Sequence, residues 1–152
     1  MSGKVVRETL GFLGVIVSLV FVGLEVRQNS LSVQAATYQE LISKIASLNL
    51  MEIENPDFGE FARAALLTPG PLDEADIDRM TPYLWLLFRH GDLAFSQYER
   101  GLLNEERLRS AMMPLSARLA APWIQERWAV LHRVAFVPSY QSFVDSIIAG
   151  SQ

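Results

Sequence analysis

Sixteen consecutive residues without a charge, TLGFLGVIVSLVFVGL from Thr9 to Leu24, constrain this chain more than any other feature. Arg7 and Glu8 stand before the run, and Glu25 and Arg27 stand after it. A helix that is apolar on every side has two stable surroundings, the centre of a large core or the hydrocarbon of a membrane. At 1.5 Å per residue the run covers about 24 Å, against a hydrocarbon core of roughly 30 Å. Val5, Val6 and Val26 must therefore enter with it while the flanking charges snorkel to the headgroups. Three readings compete: an uncleaved membrane helix, the buried central helix of a soluble bundle, and a cleavable signal peptide ending near Val33-Gln34-Ala35. That last site lies well past Leu24 and the apolar run is long for a signal, which favours the uncleaved helix. Residues 1–27 are thus expected to form a membrane-anchoring segment with a single transmembrane helix, and residues 28–152 a helical domain outside the bilayer.

Within the run, Gly11, Gly14 and Ser18 share one side of a helix, and Glu25 follows on that side one period later. Small residues in line let a second backbone approach closely, and association in lipid rests on such packing. These four residues are the expected partner-binding positions in the membrane, although glycine is also simply common in membrane helices. Glu25 has two readings, a carboxylate that pairs with a partner's base or relays protons, and a solvated acid at headgroup level near Arg27. Lys4 and Arg7 precede the span and Arg27 follows it, so the excess of basic residues that orients such helices comes down to one residue. The side of the soluble domain is left unresolved.

The rest of the chain reads as helical throughout. Leu31, Tyr38, Leu41, Ile42, Ile45 and Leu48 recur at helical spacing, so an amphipathic helix follows the span, either continuous with it or capped anew at Asn29 or Ser30. Asn55 with Pro56 opens the next helix, and the turn TPGP ends it. Acids from Asp73 to Asp78 fit the first turn of a longer helix that stops at Gly101, with Pro82 bending it or marking its start. Its apolar arc is Leu84, Leu87, Phe88, Gly91, Phe95 and Tyr98, and Gly91 predicts close contact with a crossing helix. Asn104 opens a helix that Pro114 kinks or ends, Pro122 opens one carrying Trp123, Ile124, Trp128, Val130 and Leu131 inward, and Pro138 opens the last. No alternating strand appears, so the fold class is all-α: a transmembrane helix continuing into an amphipathic helix, then a small bundle of about five helices.

This layout resembles a set of uncharacterised bacterial single-span membrane proteins. The resemblance rests on the exit segment LEVRQNS, the Ala-rich helix SVQAATYQELISKIA, the aromatic helix and turn FSQYERGLLNEERL, and the closing FVPSYQSFV. It covers most of the chain and implies a bacterial inner-membrane location, but no known activity. In such chains a basic stretch commonly follows the span and implies a cytoplasmic domain; here Arg27 alone stands close behind it.

Chemistry leaves few openings. A net charge of −4 and a pI near 5.2 argue against nucleic acid as a partner. Without cysteine there is no disulfide, thiolate nucleophile or cysteine-based zinc site. His90 and His132 belong to no helical metal motif, and each reads best as a satisfied structural histidine. The acids from Asp73 to Asp78 lack the glycine and final glutamate of a calcium loop, and no serine has a nucleophile-elbow context. No catalytic residue, metal or cofactor is therefore expected. The expected function is that of a non-enzymatic accessory or scaffolding subunit of a larger membrane-protein complex, for example a photosynthetic or respiratory assembly, with membrane lipid and other membrane-protein subunits as partners. The alternative is a membrane-tethered sensing or ligand-binding module with a pocket among Trp85, His90 and Trp128.

Overall fold

The computed structural model describes the backbone of residues 3–67 and 72–150, and within them all side chains except those of residues 4–6, 8, 9, 67, 131 and 132. It is all-α, with no strand among the described residues. Six α-helices follow in order: α1 (Gly3–Glu54), α2 (Pro56–Leu67), α3 (Glu74–Glu99), α4 (Glu105–Arg118), α5 (Pro122–Arg127) and α6 (Pro138–Gly150). A π-helical turn, Trp128–His132, and a 3₁₀ turn, Arg133–Ala135, connect α5 to α6.

Two compact units, Met1–Ala36 and Thr37–Gln152, divide the chain within α1. The sequence boundary after Arg27 marks the end of the apolar run, whereas the division after Ala36 marks where α1 begins to gain neighbours from later helices. In the first unit α1 is unbroken at the expected exit. Ser30 Oγ donates to the Val26 carbonyl at 2.9 Å and Ser32 Oγ to that of Gln28 at 3.0 Å, so both serines are bonded within the helix rather than capping a new one. Every large apolar side chain from Leu10 to Val26 is exposed, from 40% at Ile16 to 67% at Phe12 and Leu19. This is the one helix among the described residues that is long and apolar enough to cross a membrane.

The second unit holds the core. Leu41 and Leu48 on α1 are buried, and Tyr38 and Ile45 pack beside them. Pro56 occupies the first position of α2 as expected, where its missing N–H costs nothing. Asn55 holds the expected N-cap position, its carbonyl accepting from the Gly59 N–H at 2.9 Å, while its side-chain Nδ2 donates back to the Met51 carbonyl at 3.4 Å. The turn Thr68–Pro71 lies outside the described residues. Asp73 caps α3 by accepting from the Asp76 N–H at 2.8 Å, and Asn104 caps α4 by accepting from the Arg107 N–H at 2.9 Å. Pro82 lies inside α3 and Pro114 inside α4, so neither proline starts or ends its helix. Gly101 terminates α3 with φ at 73°, a backbone that favours glycine.

Gly91 is where α3 meets α4 and α6. A Cβ there would collide with Tyr140 Oη and stand 3.0 Å from Leu115 Cδ2 and 3.2 Å from Met112 Sδ. Tyr140 Oη instead donates to the Phe88 carbonyl at 3.0 Å. Phe88 stacks on Trp128 with centroids 4.9 Å apart, and Phe95 stacks on Phe143 at 4.6 Å. Four positions of the expected apolar stripes, Leu31, Ile42, Tyr98 and Val130, are solvent-facing. Tyr98 is exposed in the last turn of α3, and Val130 is exposed because the wide π turn departs from the helical period assumed for it.

Candidate functional site

The candidate site is built in the second compact unit from two helix faces. Lys44, Ser47, Leu48 and Met51 recur along the later part of α1 at i, i+3, i+4 and i+7, which places them on one side. Leu86, Arg89, His90 and Leu93 repeat the same spacing on α3. The two faces run antiparallel, since Tyr83 bonds to Glu52 while His90, further along α3, feels the charge of Lys44, further back on α1. Together they line a cavity of about 440 Å³, which falls in the range of small-molecule sites. Lys44, Arg89 and His90 stand towards one end, and Met51 and Leu86 stand towards the Glu52–Tyr83 end.

The polar groups differ in how they are satisfied. Ser47 Oγ is committed to the Ser43 carbonyl at 3.0 Å. Lys44 pairs with Glu40 at 3.0 Å, and Arg89 pairs with Asp92 at 3.6 Å while its guanidinium lies 4.5 Å from the centre of the Phe136 ring. Burial raises the Asp92 carboxyl above the ordinary range, against the opposing charge of Arg89. His90 is 6% exposed and neither ring nitrogen has a hydrogen-bond partner. Burial pushes its pKa below that of an ordinary histidine and Lys44 pushes the same way, with the Ala111 backbone acting against them from outside bonding geometry. The expected structural histidine is therefore buried but unsatisfied. His132 has its side chain outside the described residues.

Trp85, His90 and Trp128, the expected pocket, are separated. Trp85 and Trp128 converge on Phe136, at 5.9 and 5.6 Å between ring centres, and Trp128 Nε1 donates to Asp145 at 2.8 Å. Neither tryptophan lines the cavity that His90 does. On the first unit, Gly11, Gly14, Ser18 and Glu25 are all exposed, and a Cβ at Gly11 or Gly14 would meet nothing within 4 Å.

A polar cluster that no sequence spacing announces ties three helices together. The Tyr83 hydroxyl donates to the Glu52 carboxylate, and Arg118 Nη2 donates to Tyr83 Oη at 2.6 Å and to Glu52 Oε1 at 3.2 Å. Burial and the Glu52 carboxylate raise the Tyr83 hydroxyl well above its ordinary value, with Arg118 opposing. A neutral donor, an anion and a cation bond one another here, while Arg118 Nη1 donates to the Pro114 carbonyl at 3.0 Å and Arg118 Nε is buried without a partner. Among the described residues no group of three histidines or acids is placed to hold a metal ion.

The fold and its site define a helical-bundle protein with one helix long and apolar enough to cross a membrane. Compared with protein-family models, curated proteins and solved structures, the chain gives no match.

Proposed function

We propose that this chain is a single-pass protein of the bacterial inner membrane, akin to the single-span helical proteins its LEVRQNS exit resembles. In this reading it serves as a non-enzymatic accessory or scaffolding subunit of a larger membrane assembly, through helix–helix contacts in the bilayer. The observation that carries this reading is the exposure of every large apolar side chain from Leu10 to Val26. So long an apolar surface is stable only against lipid or other apolar helices. The open space at Gly11 and Gly14 suits a closely approaching partner backbone on that side. Purification from membranes in a mild detergent, with particle mass measured by light scattering, tests this. The expected particle contains other membrane subunits in fixed ratio, and a lone chain of 17.0 kDa in its micelle overturns the reading.

A second reading, a membrane-tethered ligand-binding module, is favoured by the cavity and by His90, whose buried nitrogens lack partners. Saturable binding of a small molecule, lost on filling the cavity by Leu48→Trp, is its expected signature.

A further inference from the structure

The geometry points to a binding site for a single-chain fatty carboxylate in the cavity between α1 and α3. The acyl chain lies along Leu48, Met51 and Leu86, and the carboxylate is held at the end marked by Lys44, Arg89 and His90. This rests on the ligand-binding reading above and names the ligand class.

Three independent features converge on that chemistry. First, both charged residues lining the cavity are basic and no acid lines it, so an anionic group is matched there and a cationic one is opposed. Their acidic partners, Glu40 and Asp92, stand on their own helices outside the lining, and Arg89 also donates to the Ala135 carbonyl at 3.5 Å. The Lys44–Glu40 pair is half-exposed on both sides, and pairs of that kind are weak enough for an incoming carboxylate to replace. Second, His90 is more than nine-tenths buried and neither nitrogen makes a hydrogen bond of good geometry, the Ala111 backbone being the polar group that stands near it. A neutral imidazole has one N–H to donate, and a carboxylate oxygen is the acceptor that an apolar trough flanked by two cations would bring. Third, the opposite end is apolar and open: Leu86 is 46% and Met51 41% exposed, a surface that an alkyl chain would cover.

The occupant is thereby narrowed. A two-chain phospholipid exceeds a cavity of about 440 Å³, and a zwitterionic headgroup would set its own cation against Lys44 and Arg89. The apolar run of a second copy, uncharged from Thr9 to Leu24, would cover the apolar end but would bring no anion to Lys44 and Arg89.

The test uses the full chain in nanodiscs of phosphatidylcholine, with dodecanoic acid carrying a terminal diazirine as photoprobe and peptide mapping of the adducts. The expected label falls on the segments 44–51 and 86–93 and is displaced by unlabelled dodecanoate. Dodecanol, equal in chain but without the anion, should displace it about tenfold less effectively. Lys44→Met and His90→Phe should each weaken displacement several-fold. Because His90 is buried, its replacement is read only if the tryptophan-fluorescence unfolding midpoint is preserved; Lys44 is half-exposed and carries the test if it is not. Equal displacement by dodecanol and dodecanoate, or unchanged displacement in Lys44→Met, overturns the carboxylate assignment while leaving a ligand-binding cavity in place. Label confined to the apolar run Leu10–Leu24 overturns the assignment and the ligand-binding reading together.

Discussion

Phe21 and Phe88 are the same side chain in two surroundings: Phe21 is 64% exposed on the first part of α1, and Phe88 is fully buried at the centre of the second unit. The contrast recurs within α1 itself, where Leu19 is 67% exposed while Leu41 is 1%. What separates the two regions is arrangement more than hydrophobicity. From Thr9 to Leu24 no position is charged, so no face is marked for burial and the helix asks for an apolar environment all round. From Thr37 onward, apolar residues recur every three or four positions between polar ones, so a single stripe is marked and the helices behind cover it. Uniform apolarity therefore directs a segment towards lipid or partners, and periodic apolarity directs it towards its own chain.

The largest effect that can break this comparison is the loss of a ring in each region. Phe88→Ala should cost about 3–5 kcal/mol, since it removes the partner of Trp128 and leaves a cavity. Phe21→Ala should leave the same transition unmoved. Urea unfolding followed by tryptophan fluorescence reads this cleanly, because all three tryptophans lie in the second unit. If both variants unfold at one midpoint, the two environments are not distinct.

A smaller loss is expected at the cluster of Glu52, Tyr83 and Arg118. Glu52→Ala leaves Arg118, whose side chain is 18% exposed, without its anion, and leaves the Tyr83 hydroxyl without its acceptor. A decrease of about 1–3 kcal/mol in unfolding free energy is the expected result. Glu40→Ala, which removes a half-exposed pair on the same helix, should change it by less than about 1 kcal/mol.

Glycines sharpen the contrast at lower amplitude. Gly101→Ala forces a side chain into φ of 73° and should destabilise by roughly 1 kcal/mol. At Gly11 a Cβ meets open space, so Gly11→Ala should leave the unfolding midpoint in place. If Gly11 faces a partner as proposed, the same substitution should instead reduce the amount of co-purifying protein.

The smallest effect is a pH dependence. The His90 pKa is lowered in the folded protein, whereas the unfolded chain titrates near the usual value of about 6.5. Below that value the unfolded state takes up a proton that the folded state does not, so stability falls as pH drops and levels off once His90 is protonated in the fold as well. His90→Phe should therefore show a shallower loss of stability between pH 7 and 5 than the parent chain. Parallel slopes in paired urea titrations would place the pH dependence on other groups.

Much of the fold was legible in the residues because it rests on local chemistry. Pro56, Asp73, Asn104, Pro122 and Pro138 start helices for reasons contained within one turn, and Gly101 stops one by its own backbone. Gly91 announced a crossing because a missing side chain within an apolar arc implies close approach, and Tyr140, Leu115 and Met112 are what approach it. Where the reading failed, the cause was a departure from regular helical geometry or a contact between distant residues. The π turn at Trp128–His132 shifted the register that had placed Val130 inward. Asn55 holds the N-cap position, but its side-chain amide bonds back to Met51.

The candidate site was less legible than the fold. His90 was marked by its place beside the apolar arc, but its lack of partners depends on what α1 and α4 bring to it. Lys44 and Arg89 carried no signal, being ordinary charges on helix faces. Glu52, Tyr83 and Arg118 meet across separations of 31, 35 and 66 residues, and no periodicity spans such distances.

By itself the sequence determined the all-α character, the helix starts, and the presence of one stretch too uniformly apolar to have a solvent face, because these follow from backbone chemistry and the spacing of side chains within single helices. Only the tertiary structure decided which polar groups would be paired and which left buried without a partner. That outcome depends on how helix faces distant in sequence meet, and it is at one such meeting, between α1 and α3, that the unpartnered His90 lines a cavity.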